Sequence, residues 1–336
     1  MPRPNLSPNV AATIALAFLA GCDLTPPLPP RSTPAPTGGS AGPVTLEVEP
    51  DAGSQAVLDL VSAARTSLWM EMYLLTDGRA IAALAARAAA GCDVRVILEP
   101  SPYQDAGANQ SAFDTLAAAG ADVRWSLPRF SYTHAKSFTV DHARLVVLTL
   151  NLTGDGLGGN REYAAIDDDP SDVGAFEAVF AADALGAATG TPGGRLVTSP
   201  ESSRPTLLAL IDGAQHELAL ETEELTDGAM VAALLDARAR GVAVTLAWPG
   251  PAAGAGTSFT KLAAAGATVR AVSAPPIHGK VVVADQQTFY LGSVNLSPTS
   301  LDDNRESGLL LQQAEAAAQV AGVVAGDAAV GTPPGP

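Results

Sequence analysis

Cysteine is scarce in this 336-residue chain: there are two, so at most one intramolecular disulfide can form and no disulfide framework can staple the fold. Basic charge is scarce as well. Lys and Arg together number 19 against 35 Asp and Glu, for a net charge of −16 and a pI near 4.5. Nucleic-acid binding draws mostly on Lys and Arg neutralising phosphates, so this balance argues against a nucleic-acid partner. The apolar run near the N-terminus, from Val10 to Ala20, is too short to span a bilayer. Lysine is the rarest base, with three (Lys136, Lys261, Lys280) against 16 arginines. What remains, 47% hydrophobic and 16% charged, is a globular composition long enough for two domains and a sizeable core.

The N-terminal stretch, one Arg followed by the apolar run and small residues, reads as a secretory signal over residues 1–21. Leu19-Ala20-Gly21-Cys22 resembles the lipobox of bacterial lipoproteins, which implies cleavage before Cys22, its acylation, and a place in the bacterial cell envelope. Residues 22–44, rich in Pro, Ser, Thr and Gly, read as a tether between that anchor and the globular body. With Cys22 acylated no intramolecular disulfide is possible, and Cys92, before an apolar run, reads as a small buried residue.

The body is written twice. Glu71 and Leu75-Thr76-Asp77-Gly78 recur 150 positions later as Glu221 and Leu225-Thr226-Asp227-Gly228. Leu116 to Ala121 recurs at an offset of 146 and His134 at 144, so the second copy has shorter loops. A repeat this long makes each unit a lobe, at 45–190 and 191–325, with a tail at 326–336. Strand-like and helix-like runs alternate in each, which predicts an α/β fold with mainly parallel or mixed sheets flanked by helices, packed about a pseudo-twofold axis.

Within the repeat lies the pattern H-x-K-x4-D, with an Asn 17 residues after the His and Asn-Arg-Glu starting 26 after it. The members are His134, Lys136, Asp141, Asn151 and Asn160-Arg161-Glu162, then His278, Lys280, Asp285, Asn295 and Asn304-Arg305-Glu306. Two of three lysines, two of four histidines and four of seven asparagines sit here, so an Arg-writing chain keeps a compact ammonium at these positions. Residues i and i+2 of a strand share a face, so each His projects with its Lys, and two such pairs can converge on one cleft. That set suits a phosphate diester: Lys and Asn bind non-bridging oxygens, one imidazole attacks phosphorus and the other protonates the leaving alkoxide. Glu162 and Glu306 are candidates to hold the second imidazole nitrogen. Asp141 and Asp285, at the turn of a strand pair, read as structural acids.

This doubled pattern resembles the phospholipase D superfamily, whose HxK-x4-D motif usually continues to Gly-Ser-x-Asn and occurs twice around a shared site. The resemblance covers roughly residues 45–325. It is complete in the second copy, which has Gly292-Ser293-Val294-Asn295, whereas Leu148-Thr149 replaces Gly-Ser in the first. Leu148 is expected to narrow the site or shift substrate choice without removing a catalytic group, and Thr149 and Ser293 are expected to contact substrate. The resemblance implies that His134 attacks, forming a phosphohistidine, that His278 is the acid, and that no metal or other cofactor takes part. It also implies a phospholipid or other phosphodiester as substrate, hydrolysed or transferred to another alcohol. With both motifs in one chain, the catalytic unit is expected to be a monomer. The alternatives are a nuclease of the same superfamily and a catalytically silent surface binding module.

The remaining titratable residues read as structure. His142 and His216 lack such company and are expected at the surface. Glu221, Glu223, Glu224 and Asp227 read as a solvated acidic loop rather than a metal site.

Overall fold

A computed structural model of the protein describes residues 42–250 and 256–335. The expected signal peptide, Cys22 and nearly all of the tether lie outside the described residues. Among the described residues no helix is long and apolar enough to cross a membrane.

The first lobe runs β1 (Thr45–Glu49), α1 (Gln55–Ala63), β2 (Ser67–Met72), α2 (Gly78–Ala89), β3 (Asp93–Leu98), α3 (Gln110–Ala118), β4 (Asp122–Trp125), β5 (Lys136–Val140), β6 (Arg144–Leu148), β7 (Glu162–Asp167) and α4 (Pro170–Leu185). The second repeats the plan with β8 (Leu196–Ser199), α5 (Ser203–Gly213), β9 (Glu217–Glu221), α6 (Gly228–Ala239), β10 (Ala243–Trp248), α7 (Gly256–Ala264), β11 (Thr268–Ala271), β12 (Val281–Ala284), β13 (Thr288–Gly292), β14 (Glu306–Gln312) and α8 (Ala314–Val330). The strand orders β1-β7-β6-β5-β2-β3-β4 and β8-β14-β13-β12-β9-β10-β11 are the same order twice. Both sheets are mixed. The parallel part is confined to β2-β3-β4 and β9-β10-β11, where helices supply the crossovers, and every other pairing is antiparallel.

Strand alternation builds three cores. Val146 and Leu148 face α1 to α3, while Leu145 and Val147 face inward; Val282 and Ala284 face α5 to α7, while Val281 and Val283 face inward. The two inward faces meet in a shared core with Phe289, Leu291, Leu309 and Leu311, flanked by Phe176 and Phe180 of α4 and Val320 and Val324 of α8. The lobes are thus fused by hydrophobic burial, and the cleft lies where their strand ends meet. The expected tail at 326–336 instead begins inside α8, and Asp327 of that helix is buried against Arg161.

The repeated motifs have local structural reasons. Asp77 and Asp227 are N-caps, each accepting from two backbone amides at the start of α2 and α6, at 2.8 to 3.1 Å. Asp141-His142 and Asp285-Gln286 occupy left-handed backbone conformations, as a two-residue hairpin turn of the I′ type requires. The Asp141 carboxylate accepts from the amides of Arg65, Thr66 and Ser67 at 2.9, 2.7 and 3.2 Å, and Asp285 does the same for Gln215, His216 and Glu217. The motif Asp therefore ties the hairpin to the start of the neighbouring strand.

Burial alone would raise the Asp141 carboxyl, but these donors outweigh it and bring it down to about 2. A carboxyl depressed in the folded state adds stability above its unfolded value near 4, and that contribution is lost as pH falls toward 2. Asp141→Ala should lower stability by about 1–3 kcal/mol at pH 7, and its deficit against the parent should shrink as pH falls below about 4, read by urea denaturation.

Candidate active site

The two H-x-K segments approach each other because each is hydrogen-bonded to the opposite lobe. His134 N donates to Arg305 O at 2.8 Å and Arg305 N to Tyr132 O at 2.9 Å; in the mirror arrangement His278 N donates to Arg161 O at 3.1 Å and Arg161 N to Pro276 O at 2.8 Å. This pairing carries the next residue of each Asn-Arg-Glu to the imidazole across the interface. His134 Nδ1 lies 2.8 Å from Glu306 Oε2, and His278 Nδ1 lies 2.5 Å from Glu162 Oε1. Each histidine is therefore held by the acid of the other copy, with Nε2 left for chemistry in the cleft.

The two dyads differ in finish. Glu306 also accepts from Ser300 Oγ at 2.6 Å, on a π-helical turn at Thr299–Asp303, and from Asn304 Nδ2 at 3.0 Å, just past that turn. Burial would raise this carboxyl, but His134 and Lys136 outweigh it and hold it below the ordinary value. Burial lowers His134 more than Glu306 raises it, so the pair rests as carboxylate and neutral imidazole, with Nδ1–H donating and Nε2 unprotonated. Glu162 accepts from Thr149 Oγ1 at 2.6 Å, and its short contact with His278 is bent away from hydrogen-bond geometry. Gly156 stands where Ser300 stands in the other lobe, and a β-carbon there would strike the Asn151 carbonyl, so the first copy cannot carry that donor.

Both lysines are buried, at 0% and 1% exposure, and each ammonium turns back to its own histidine's carbonyl, Lys136 to His134 O at 2.7 Å and Lys280 to His278 O at 2.6 Å. Desolvation brings Lys136 down to about 7; its ammonium lies 5.0 Å from the centre of the Tyr73 ring, which also meets His134 edge-on. Lys280 instead meets a carboxylate, Glu223 Oε2, at 2.5 Å. The side-chain amides of Asn151 and Asn295 make no hydrogen bond to the described residues and remain available at the cleft.

Several expectations need correction. Thr149 and Ser293 are fully buried and spend their hydroxyls inside the fold instead of presenting them to substrate: Thr149 holds Glu162 and the Tyr163 amide, and Ser293 accepts from Ser307 N at 3.0 Å. Leu148 does not narrow the cleft. It lies in the outer core beside Val146 and Ala164, where the second lobe has Gly292, Tyr290 and Gly308, and a β-carbon on either glycine would collide with the Tyr290 ring or hydroxyl. Leu148 and Val146 thus fill the volume that Tyr290 fills in the other copy, and Gly-Ser serves packing.

The acidic loop is not a solvated one. Glu221 is buried, Asp227 is the helix cap, and Glu223 enters the site, its Oε2 3.4 Å from His278 Nε2. Desolvation would raise Glu223, but His278 and Lys280 outweigh it and bring it down to about 2. The signal for this was present, because Glu223 follows the repeated Glu221 at the spacing by which Tyr73 follows Glu71. Arg161 and Arg305, unassigned from sequence, each grip the other lobe's last helix: Arg161 holds Asp327 of α8 at 2.7 and 3.1 Å, and Arg305 holds Asp183 of α4 at 2.6 and 2.9 Å. His142 pairs with Glu177 at 2.7 Å on the surface. Among the described residues no group of acids, His and Cys is arranged to hold a metal ion.

A doubled α/β scaffold with one cleft lined by two crossed His–Glu dyads and two lysines defines a phospholipase D-like architecture. A family profile described as "Cardiolipin synthase, PLD-like domain" matches residues 57–184 and again 207–326, well over half of the chain. The chain belongs to the phospholipase D superfamily. It is 38% identical over 87 residues to Phospholipase D Z of Dictyostelium discoideum, a match covering 24% of this chain and 21% of that protein. Among solved structures it resembles the phosphatidylserine synthase of Haemophilus influenzae Rd KW20, at TM-score 0.66 and 11% identity, over 84% of this chain and 85% of that one. It also resembles the polyphosphate kinase of Porphyromonas gingivalis, at TM-score 0.66 and 15% identity, over 84% of this chain and 50% of that one. At these identities the two structures speak for the fold.

Because Leu148 is core and not cleft, Leu148→Ala should cost about 2–5 kcal/mol in denaturant unfolding while leaving the affinity for a diester analogue within about twofold, read by calorimetry.

Proposed function

We propose that the protein is a phosphodiesterase of the bacterial envelope that cleaves phospholipid headgroup esters, or transfers the phosphatidyl group to another alcohol, through a phosphohistidine. The observation that carries this reading is the crossed pair of dyads, which leaves two Nε2 atoms for one cleft. His134 suits the nucleophile, since its imidazole is neutral and its Glu306 is held by two further donors. Its Nε2 lone pair attacks phosphorus, and the bond from phosphorus to the headgroup oxygen breaks as His278 Nε2–H protonates that oxygen. Water or an alcohol then gives its proton to His278 and its oxygen to phosphorus; the P–N bond breaks and both imidazoles return to their starting states. Lys136, Lys280 and the amides of Asn151 and Asn295 supply the charge and hydrogen bonds for the non-bridging oxygens.

The lipid is favoured as substrate by the net charge of −16, which repels a polyanion, and by the expected acyl anchor at Cys22 and its tether. The family's description and the curated relative's name agree with a phosphatidyl substrate. One chain supplies both motifs, so the catalytic unit is a monomer.

The full chain should release headgroup alcohol from phospholipid vesicles in EDTA, and His134→Ala and His278→Ala should each reduce this by about a hundredfold or more. Cleavage of single- or double-stranded DNA offered in parallel would instead make the protein a nuclease. No turnover of either, with variants indistinguishable from the parent, would make it a binding module. A nucleophile must be unprotonated, so the acid limb of kcat/KM should fall below the ordinary imidazole value of about 6.5. A limb above that value would remove His134 from the role.

A further inference from the structure

The pseudo-symmetric cleft has one unsymmetrical wall. Where the first lobe presents Tyr73, whose ring lies 4.5 Å from that of His134, the second presents Glu223. Unlike Glu162 and Glu306, whose side chains are wholly buried, Glu223 keeps 30% of its side-chain surface exposed and is reachable by a bound molecule. Its contacts are Lys280 Nζ at 2.5 Å and His278 Nε2 at 3.4 Å, so it stands on the lobe whose histidine serves as acid to the departing alcohol.

Charge bookkeeping makes this placement consequential. The cleft sets two lysines against three carboxylates, Glu162, Glu306 and Glu223. Glu162 and Glu306 are committed to the imidazoles, which leaves Glu223 and the incoming phosphate competing for Lys280. A diester with an uncharged alcohol adds a second anion beside Glu223 and gives nothing back. One whose alcohol carries an ammonium takes Lys280 for its phosphate and returns a cation to the displaced carboxylate.

Resting on the phosphodiesterase reading above, we propose that Glu223 is a specificity-determining residue that selects diesters whose leaving alcohol bears a cationic amine. The carboxylate binds the amine on the His278 side of the cleft, which also sets which ester oxygen faces the proton donor. The discrimination is that of one charge-assisted hydrogen bond, about tenfold or more.

The test compares kcat/KM of the full chain on phosphatidylethanolamine and on phosphatidylglycerol, for the parent, Glu223→Gln and Glu223→Asp. The parent should favour the ethanolamine lipid by about tenfold; Glu223→Gln should bring the ratio near one, and Glu223→Asp should keep part of it. A parent ratio at or below one, or the same ratio in Glu223→Gln, overturns the proposal and would leave Glu223 as a structural counter-ion of Lys280. A second arm needs no turnover: calorimetric binding of the soluble diesters glycerophosphoethanolamine and glycerophosphoglycerol to His134→Ala, with and without Glu223→Gln. Tighter binding of the amine-bearing diester that Glu223→Gln abolishes supports the proposal even if neither lipid is cleaved, in which case the reaction assigned above is what fails. Equal binding of the two diesters to His134→Ala overturns it.

Discussion

Everything in this site depends on an exchange across the lobe interface. The backbone of each H-x-K segment is hydrogen-bonded to the Asn-Arg-Glu segment of the other copy, and the residue after that Arg delivers its carboxylate to the facing imidazole. Neither lobe therefore contains a complete dyad. An imidazole without a partner on Nδ1 is free to rotate and to change tautomer, and it becomes a poor nucleophile or acid. The shared apolar core makes the exchange permanent: two sheet faces and two helices bury their inward side chains against one another, so opening the cleft would expose the centre of the molecule.

The same exchange explains why Arg follows the Asn in both copies. Each buried guanidinium makes a bidentate pair with a carboxylate on the other lobe's final helix, and it also bonds a carbonyl and an acid beside a Pro near the start of its own lobe. A buried cation costs several kcal/mol unless its charge and donors are met, and here the acceptors are groups that must come together for the cleft to form. The Arg thereby couples closure of the shell to placement of its neighbouring Glu. Lys would not serve, since a point charge cannot hold a carboxylate and a carbonyl in a fixed fork.

Much of this was legible in the chain. The repeat offsets, the paired His, Lys, Asn and Glu, and the structural nature of Asp141 and Asp285 all follow from spacing and residue type. Three things did not. Which Glu holds which His is a matter of lobe packing, and no linear spacing encodes it. Leu148 looked like an intrusion into a motif because its compensation, Val146 in place of Tyr290, lies on the adjacent outward-facing position and is visible only when the two outer cores are compared. Glu223 was lost among neighbouring acids that have unrelated duties, one buried and one capping a helix. Sheet direction was also only half visible: helix-length connections announce β2-β3-β4 as parallel, whereas the antiparallel remainder arises from hairpins and from the long return to β1.

The departures from symmetry are where the two copies have acquired different work. A perfectly symmetric cleft would give both imidazoles the same basicity and leave the order of attack and protonation undecided. Here Ser300 and Asn304 finish one dyad, while Gly156 cannot supply the matching hydroxyl to the other. Tyr73 covers Lys136 with a ring that desolvates it, while Glu223 gives Lys280 an opposite charge. Each difference separates the two sides, with a neutral, firmly held His134 on one and a His278 that meets both Glu162 and Glu223 on the other. Under the proposed mechanism, an acid and a base are derived from two copies of one motif by changing the residues around them and leaving the paired His and Lys alone.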